Sequence, residues 1–442
     1  DARRQRQMCI RDRGGIKWDN GEPLTVDDII FTAKVQICPL TDNAAIRGIY
    51  TPVIKSIEKD STDPQKFVMV AHEVRMANPS IFSEVYIQQK SHWDPKGITE
   101  KYSFADIFEP GFADRDDIQD LRDWFEGFND ADNCFVPERL VGLGNYQITA
   151  WQPNSYIELK KKENWWGAND TSRYNQSYPE RIIFKIITDV ASAKMAVKNE
   201  NLDVTTDIGN NSLRKLRKLG YFNDAFNSQF MDEYAYSYIG LNMRPESAGR
   251  KSFFTDVRVR RAMAHLTPVD EIIEVLLYSN GQRQTSNVSP LKKKTYNDNL
   301  QPIPFDLEKA RELLDEAGWV DTDGDNLRDK TINGEKIQFS FVLNYFGTST
   351  LSKEMALMMK EEAYRAGIEV RTTPLDFTVL YQKAYNHDFD AMFGVWGGSG
   401  APSDPQQLWH QNSWVTKGSN FVGFGDVAVS YTHLTLPTSV IV

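Results

Sequence analysis

The chain has 442 residues, of which 40% are apolar and 12% aromatic, and this length and composition predict two or three domains with sizeable cores. Its formal net charge is -10, from 51 Lys and Arg residues against 61 Asp and Glu residues. No basic block is long enough to follow a phosphate backbone, which argues against nucleic acid as a partner. The cysteines, Cys9, Cys38 and Cys134, form no CxxC pair, which argues against a disulfide framework or a closed zinc site.

The two ends of the sequence differ in character from the part between them. Residues 1–13 (DARRQRQMCIRDR) have no apolar periodicity, and residues 427–442 (VAVSYTHLTLPTSVIV) lack the charged, amphipathic pattern that precedes them. We predict that both are foreign tails, and we expect Leu434 and Leu436 to lie outside the core. No stretch approaches the roughly 18 consecutive apolar residues of a membrane span, and the start lacks the apolar region of a signal peptide.

Residues 14–134 combine helix and strand patterns. Residues 16–20 predict a short strand and residues 21–24 a turn. Thr25 and Asp28 form a capping-box pattern, and the apolar residues behind it predict a helix that runs to Ile37. Strands are predicted at 67–70 and 85–87. The acidic stretch that follows predicts a helical lobe packed on those strands through these residues: Phe104, Ile107, Phe108, Leu121, Trp124 and Phe125.

A second strand-rich block is predicted at residues 144–148, 155–159 and 181–187. Asp189 caps a predicted helix over 191–198, and residues 202–204 predict a strand, which together give the strand-helix-strand pattern of a buried α/β sheet. Beyond residue 233 a strand is predicted at 234–242, and a helix from Asp256 to residue 266. Thr267 and Asp270 predict a second capping box in front of a helix at 272–277.

The last third of the sequence continues the α/β pattern. Helices are predicted over 307–317 and 351–366, where Gly318 and Gly367 end them, and a third is predicted from Asp376 to residue 385. Strands are predicted at 337–343, 368–372 and 389–396. At least two α/β lobes therefore lie on either side of a boundary near residues 231–242.

The sequence gives no positive evidence for catalysis. No G-x-S-x-G motif is present, and the nearest segment, residues 397–400 (GGSG), is followed by two prolines that favour a turn. The six histidines have no H-x-x-x-H spacing, and no nucleotide-binding glycine motif precedes a helix. Carboxylate pairs are abundant by chance in an acidic chain. We therefore predict neither an enzyme nor a cofactor.

Residues 321–329 (DTDGDNLRD) space carboxylates in a way that suits calcium. Asp321, Asp323 and Asp325 occupy the first, third and fifth positions of the loop. An EF-hand requires Gly at the sixth position and Glu at the twelfth, where this sequence has Asn326 and Ile332. A polar turn is therefore the preferred interpretation, and a weak calcium site is the alternative.

Several aromatic residues stand at predicted strand ends. Most of them are interpreted as core residues. Tyr236 and Tyr238 share one face of a strand at the predicted domain boundary, and Trp396 ends a buried strand next to Gly397 and Gly398, where a flexible backbone can approach a ligand. Because clefts between domains are common sites for small ligands, these residues predict a binding site.

Four segments, in order, resemble the peptide-binding components of ABC importers, solute-binding protein family 5. The first, residues 15–31 (GIKWDNGEPLTVDDIIF), is similar to the family's G-hydrophobic-K-W/F-x-D/N-G-x-P-hydrophobic-T-x-x-D segment. The second joins residues 241–242 to 254–262 and the Asp270 helix. The third is 317–325, and the fourth runs from 388 to 396 and on to Asp404 and Pro405. The resemblance covers about residues 14–425.

The resemblance implies an α/β fold of the periplasmic binding protein type II-like kind, a multi-lobed hinged trap with mixed sheets. On this basis, residues 14–137 are predicted to hold the end of a lobe I strand and an inserted lobe II. Residues 138–232 are the central segment of lobe I, and 233–426 are lobe III. Because the first motif normally lies well inside the chain, we expect the opening strands of lobe I and its returning C-terminal stretch to be missing.

The resemblance also implies which residues bind the ligand. In peptide binders of the family, an Asp shortly after the Trp that corresponds to Trp396 pairs with the peptide amino terminus. Ser399 stands closest here, and Asp404 follows five residues later. Either Asp404 supplies the charge from a shifted loop, or the ligand is not a peptide with a free amine. The predicted site has one wall of Trp396, Gly397, Gly398, Ser399 and Asp404, with Tyr236, Tyr238 and Asn242 near the hinge on the other wall.

The function implied by the resemblance is capture of di- or oligopeptides by backbone hydrogen bonds and hinge closure, with delivery to ABC permease subunits. The same fold binding an oligosaccharide, a metal chelate or another solute is the first alternative, and a hydrolase is the second. Family members are periplasmic or are lipoproteins on the outer face of the membrane, so an extracytoplasmic location is expected, with membrane contact only through a lipid anchor that this sequence lacks.

Overall fold

The computed structural model describes residues 7–11, 15–63, 65–73, 78–171, 175–206, 208–244, 248–251, 253–400, 406–415 and 418–425. These residues form two compact units, an N-terminal unit that ends at Ile187 and a C-terminal unit that begins at Thr188. The boundary falls inside the segment 138–232 that we assigned to one lobe. The division into three lobes stays a prediction.

The N-terminal unit contains two three-stranded antiparallel sheets and a set of short helices. The sheets have the strand orders β1-β3-β2 and β4-β5-β6. The strands are β1 (Gln7–Arg11), β2 (Ile54–Lys59), β3 (Lys66–Ala71), β4 (Tyr146–Gln152), β5 (Tyr156–Lys161) and β6 (Arg181–Lys185). The α-helices are α1 (Val26–Ile37), α2 (Ala44–Tyr50), α3 (Asn78–Ser83), α4 (Lys90–Trp93), α5 (Phe104–Ile107) and α6 (Gln119–Phe128).

Strand β1 lies within residues 1–13, which the sequence predicts to be a foreign tail. Its backbone pairs antiparallel with β3, from Gln7 opposite Val70 to Arg11 opposite Lys66. Residues 7–11 therefore take part in the sheet. The origin of residues 1–13 as a foreign tail stays a prediction. Residues 427–442, with Leu434 and Leu436, lie outside the described residues.

The start of α1 is fixed by the buried side chain of Asp28, which is 4% exposed. One carboxylate oxygen, Oδ2, accepts hydrogen bonds from the backbone N–H of Thr25 at 2.9 Å, the Thr25 hydroxyl at 3.1 Å and the indole N–H of Trp18 at 3.2 Å. The other, Oδ1, accepts from the backbone N–H of Lys90 at 2.8 Å. The predicted helix is confirmed. The predicted strand at 16–20 is wrong, because the segment turns back on itself through a single bridge between Lys17 and Pro23.

The helical lobe predicted from the acidic stretch is confirmed. All six of its predicted apolar residues belong to the core of the N-terminal unit or pack against it. The strand predicted at 85–87 is wrong, since these residues are irregular. The next residue, Gln88, donates its backbone N–H to the hydroxyl of Thr32 on α1 at 2.8 Å, so a side chain rather than a neighbouring strand takes up that donor.

The sheet of β4, β5 and β6 is amphipathic. Its register places six apolar side chains on one face, and none of them is fully buried. They are Ile148, Trp151, Ile157, Leu159, Ile182 and Phe184. Phe184 on the edge strand β6 is 57% exposed.

The C-terminal unit is built on a mixed sheet of order β11-β10-β12-β7. The central strand β10 is parallel to β11 and β12, and β7 is antiparallel to β12. The strands of this unit are β7 (Tyr236–Leu241), β8 (Asp329–Ile332), β9 (Glu335–Gln338), β10 (Ser340–Phe346), β11 (Glu369–Leu375) and β12 (Ala391–Trp396). Strands β8 and β9 form a separate hairpin.

The helices of the C-terminal unit are α7 (Val190–Lys198), α8 (Asn210–Leu216), α9 (Gly220–Ala225), α10 (Val257–Leu266), α11 (Val269–Glu271), α12 (Leu307–Glu316), α13 (Thr350–Arg365), α14 (Phe377–Tyr385), α15 (Gln406–Trp409) and α16 (Gln411–Val415). Among these helices, α13 and α14 contact the strands of the mixed sheet directly, and α10 packs on α12 and α13. The main core joins apolar residues of α10, α12 and α13 to β10, β11 and β12. Gly318 and Gly367, with φ of 80° and 79°, follow α12 and α13 and confirm the predicted helix ends.

Two predictions for this unit are wrong. Residues 202–204 form no strand, and Val204 is 85% exposed, so the predicted strand-helix-strand pattern around α7 is absent. The second capping box is also absent, because the hydroxyl of Thr267 donates back to the carbonyl of Met263 at 2.8 Å instead of receiving an N–H of the next helix. That helix continues from α11 as a π-helical turn, Ile272–Leu276.

Candidate functional site

The candidate site lies at one end of β7 and β12. In the antiparallel register, Trp396 is opposite Tyr236, and Gly394 is opposite Tyr238. Paired residues project to the same face of a sheet, and that face repeats every second residue. The two tyrosines and the tryptophan therefore share one face. Among the described strands, β7 is an edge strand, with β12 as its single neighbour.

The side chains on this face form an aromatic cluster of Tyr236, Tyr238, Trp396 and Phe421. Trp396 stacks on Tyr238 with ring centres 6.1 Å apart and an interplanar angle of 2°, and on Phe421 at 5.5 Å and 22°. The ring of Tyr236 lies 6.2 Å from that of Tyr238. The sequence did not predict that Phe421 belongs to this cluster, because Phe421 lies in an irregular segment with no spacing pattern that relates it to the strands.

A glycine makes room for the cluster. A Cβ atom added to Gly394 would lie 2.4 Å from Cζ of the Tyr238 ring and 2.5 Å from its hydroxyl oxygen. Distances below 3.0 Å are not tolerated between such atoms, so the Tyr238 ring can lie across β12 only where the facing residue has no side chain. The Tyr238 ring therefore needs a glycine at position 394 to pack as it does.

Burial shapes the chemistry of the two tyrosines. Burial raises the pKa of Tyr238 well above its ordinary value, with a smaller contribution from Tyr381, and burial alone raises the pKa of Tyr236. Both phenols therefore remain neutral at physiological pH and keep their hydroxyl protons. The Tyr236 hydroxyl oxygen is shielded from solvent, and it has no hydrogen-bond partner among the described residues. A buried polar atom without a partner is unfavourable, so this hydroxyl is a cost to the stability of the cluster.

The glycine segment after β12 is exposed. Gly397, Gly398 and Ser399 follow Trp396 without regular secondary structure. A Cβ atom on Gly398 would come within 3.1 Å of the carbonyl oxygen of Tyr234, whereas one on Gly397 would contact nothing. Asp404, the remaining member of the predicted wall, lies outside the described residues.

Asn242 does not join the wall. Its side chain is 0% exposed. Its amide nitrogen donates to the carbonyl oxygens of His387 at 2.8 Å and Phe389 at 2.9 Å, and its amide oxygen accepts from the backbone N–H of Arg244 at 3.0 Å. Asn242 therefore connects the end of β7 to the loop before β12 by hydrogen bonds, and its side chain is not accessible to a ligand.

We expect Asn242→Ala to lower the free energy of unfolding by about 3 kcal/mol, because three backbone groups lose their partner, and two of these bonds are buried and one is partly buried. Chemical denaturation followed by circular dichroism measures the change. Asn223→Ala is the matched control, since this exposed asparagine makes a single bond to the carbonyl of Arg217 at 2.8 Å and should cost less than about 1 kcal/mol. Equal losses for the two variants would contradict the role of Asn242.

The structure brings Asp321, Asp323 and Asp325 together. One carboxylate oxygen from each lies within 4.8 Å of the others, and all three residues are exposed. Their bonds are local: Asp323 pairs with Lys336 at 2.7 Å, Asp325 accepts from Gln338 at 2.7 Å, and Asp321 accepts from backbone N–H groups of its own loop. These contacts account for a polar turn, and calcium binding stays a prediction.

The sequence and the fold of this chain both match known proteins. The family model described as "Bacterial extracellular solute-binding proteins, family 5 Middle" matches residues 13–419. The chain belongs to solute-binding protein family 5. This finding confirms the resemblance stated on the sequence motifs. It makes the chain a solute-binding component of an ABC transporter system, and the relatives that it matches are transport-associated binding proteins rather than enzymes.

The curated relatives of this chain include an oligopeptide-binding protein. The chain is 26% identical over 420 residues to the oligopeptide-binding protein AppA of Bacillus subtilis, covering 94% of this chain and 67% of AppA. The structure of AppA in complex with a nonapeptide matches with a TM-score of 0.72 at 22% identity, covering 97% of this chain and 74% of that one. Other curated relatives are covered over 47% to 63% of their lengths.

Two further structures show the same fold. NikZ from Campylobacter jejuni in complex with Ni(L-His) has a TM-score of 0.74 at 17% identity, covering 96% of this chain and 73% of that one. A mannohexaose-bound oligopeptide-binding protein from Thermotoga maritima has a TM-score of 0.69 at 19% identity, covering 97% and 73%. The predicted α/β binding-protein fold with several sheets is confirmed. Among the helices that the structure describes, none is long and apolar enough to cross a membrane.

Proposed function

We propose that this family 5 protein captures peptides or peptide-like solutes outside the cytoplasm and delivers them to an ABC permease. The observation that carries the proposal is the aromatic cluster where the start of the edge strand β7 meets the end of β12, together with the exposed glycines that directly follow β12. The oligopeptide-binding relative AppA supports a peptide as the ligand.

The geometry suits recognition of a peptide backbone. An edge strand offers backbone N–H and C=O groups to an extended peptide, and Gly397 and Gly398 leave further backbone groups open to approach. The half-buried Trp396 offers an apolar contact. Because these contacts ignore the identity of the peptide side chains, we expect broad specificity.

A non-peptide solute is the second candidate. The exposed segment 397–400 (GGSG) carries no carboxylate to pair with a peptide amino terminus. Stacked aromatic rings also suit sugars, and the fold neighbours bound to Ni(L-His) and to mannohexaose make a metal chelate or an oligosaccharide concrete alternatives. We place the protein outside the cytoplasm with its family, and a lipid anchor on a longer form of the chain is part of this proposal.

Native mass spectrometry of the gently purified protein tests the ligand class. A series of adducts with peptide masses would support peptide capture, and adducts spaced by hexose units or carrying a metal would favour the second candidate. Recovery of the added peptide intact would distinguish capture from hydrolysis.

We expect Trp396→Ala to weaken binding of the co-purified ligand about tenfold, since a buried aromatic contact is worth about 1.4 kcal/mol or more. Isothermal titration calorimetry measures the change. Tyr364→Ala is the matched control, because this aromatic side chain of the same unit lies on α13, away from the cluster, and is 62% exposed. An unchanged affinity for Trp396→Ala would remove this residue from the site.

A further inference from the structure

A short basic segment lies on the surface of the C-terminal unit. The last turn of α8 carries Arg214 and Lys215, and the turn that follows adds Arg217 and Lys218. Arg217 is half-buried and the other three cations are exposed, whereas Leu216 between them is buried. The segment therefore packs through its apolar side and directs its positive charge towards solvent.

These four cations are not neutralised within the unit. None of them forms an ion pair with a carboxylate that the structure describes. The Arg217 guanidinium donates to the hydroxyl oxygen and to the carbonyl oxygen of Ser228, both at 2.8 Å, and the Arg214 guanidinium lies 4.1 Å from the centre of the Tyr278 ring. These uncharged partners orient two of the side chains and leave their charge uncompensated.

Cations on another helix of the same unit are compensated. On α12, Lys309 pairs with Glu312 at 2.8 Å and Arg311 pairs with Glu308 at 2.7 Å. Near the basic segment, Asp224 on α9 is the nearest carboxylate along the chain, and it pairs with none of the four cations. In a chain with a net charge of -10, this segment is a local reversal of sign. A helix end attracts cations, but it does not require four of them without counter-ions.

Exposed apolar side chains lie next to the cations. Leu219 and Tyr221 directly follow them and are exposed. The exposed ring of Phe230 lies under the Arg217 guanidinium, 4.8 Å from its centre, and the adjacent Met231 is 73% exposed. The cations and these side chains define the basic-apolar patch: Arg214, Lys215, Arg217, Lys218, Leu219, Tyr221, Phe230 and Met231.

This combination of side chains matches the surface of a phospholipid membrane. Lys and Arg are attracted to anionic headgroups, and Leu, Met and aromatic side chains enter the boundary between headgroups and acyl chains. Long cationic side chains lay their apolar stems along that boundary and keep their charge among the phosphates. An acidic protein surface would account for the cations alone. The exposed apolar residues beside them favour lipid.

We propose that the basic-apolar patch docks this protein on an anionic phospholipid surface. The inference rests on the extracytoplasmic location in the proposed function, and it does not depend on which solute is bound. Docking through the chain itself keeps the loaded protein near the membrane that holds the permease. Four cations and a few exposed apolar side chains give a reversible contact, which weakens as salt screens the charges.

Co-sedimentation of the full chain with lipid vesicles tests the docking. At about 20 mM salt, vesicles made of equal parts of phosphatidylglycerol and phosphatidylcholine should bind the protein at least about tenfold more tightly than vesicles of phosphatidylcholine alone. Sodium chloride at about 0.5 M should release the bound protein. Equal binding to both kinds of vesicle, or binding to neither, would overturn the proposal.

Charge reversal locates the contact on the patch. Lys215→Glu combined with Lys218→Glu should weaken binding to the anionic vesicles at least about tenfold. Both side chains are exposed, so the fold should persist, and circular dichroism checks this. Lys353→Glu combined with Lys360→Glu is the matched control, because it changes the net charge equally at exposed positions of α13. Equal losses for the two double variants would show that net charge governs binding, and the patch would be excluded.

Removal of an apolar side chain separates lipid from an acidic protein as the partner. Met231→Ala should weaken binding to the anionic vesicles about fivefold, because less apolar surface enters the bilayer, whereas Leu357→Ala at an exposed position of α13 should not. Unchanged binding of Met231→Ala would contradict entry into lipid. Capture of polyglutamate without capture of vesicles would assign the cations to an acidic polypeptide and overturn the proposal.

The docking and the capture of solute can fail separately. The Lys215→Glu, Lys218→Glu variant should retain the co-purified ligand in native mass spectrometry while it no longer sediments with vesicles. Loss of vesicle binding together with loss of the ligand would show a wider structural defect and contradict a role confined to docking. Vesicle binding by a chain that captures no solute would contradict the proposed function and support the docking.

Discussion

Replacing Asp28 with alanine is expected to lower the free energy of unfolding of the N-terminal unit by about 4 kcal/mol. The buried carboxylate accepts hydrogen bonds from Trp18, from two groups of Thr25 and from Lys90, and each buried donor left without a partner costs about 1–3 kcal/mol. Urea denaturation followed by tryptophan fluorescence and circular dichroism measures the loss. Asp28→Asn keeps one acceptor oxygen, so its loss of unfolding free energy should be smaller than that of Asp28→Ala.

The neighbouring residue provides the control. Asp27 carries the same carboxylate in the same helical turn, but it is exposed and pairs with Lys59 at 2.6 Å on the surface. Asp27→Ala should therefore cost less than about 1 kcal/mol. If Asp27→Ala and Asp28→Ala were equally destabilising, the loss would reflect charge at the helix start, and the hydrogen bonds of Asp28 would not be its cause.

Gly394→Ala is expected to disrupt the aromatic cluster. The added Cβ would overlap the ring of Tyr238, which must then move away from Trp396, and overpacking of this kind costs about 1–3 kcal/mol. We expect about 2 kcal/mol of lost stability and at least a tenfold loss of ligand affinity, measured by denaturation and calorimetry.

A double-mutant cycle separates steric overlap from other effects of the alanine. In a Tyr238→Ala background the ring is absent, and Gly394→Ala should have little further effect on stability. Gly397→Ala, which meets nothing within 4 Å, should leave the free energy of unfolding unchanged. A Gly394→Ala cost that persists without the Tyr238 ring would show that the glycine serves the strand and not the cluster.

The elements that the sequence predicted well carry their signals locally. The helix α14 begins after Asp376, whose side chain accepts the N–H of Thr378 at 2.9 Å, and α13 ends where Gly367 adopts a positive φ. Such caps are satisfied within one turn of the chain, so a few residues determine them. Two of the strands that failed, at 85–87 and 202–204, have the right composition but no partner strand, and a partner is a property of the fold.

The candidate site shows the same limit. The alternation of Tyr236 and Tyr238 was enough to place these two tyrosines on one face of a strand. The assignment of Trp396 to the opposite wall was wrong, because the pairing of β12 with β7 brings all three side chains to the same face. Phe421 could not be found, because its contact with Trp396 joins segments with no common pattern. Asn242 was assigned to the site near the hinge after the resemblance was recognised. A polar residue at a strand end looks the same in sequence whether it meets solvent or, as here, buried carbonyls.

The hydrogen bond from Lys90 to Asp28 has a consequence for the order of folding. The two residues are 62 positions apart, so the start of α1 stays incomplete until the ribosome has made the chain beyond residue 90. A helix of 12 residues is marginal on its own in water, so α1 depends on its packing against α2 and β2 as well as on this distant bond. The first helix of the N-terminal unit therefore receives its complete cap only after the more distant half of that unit has been synthesised.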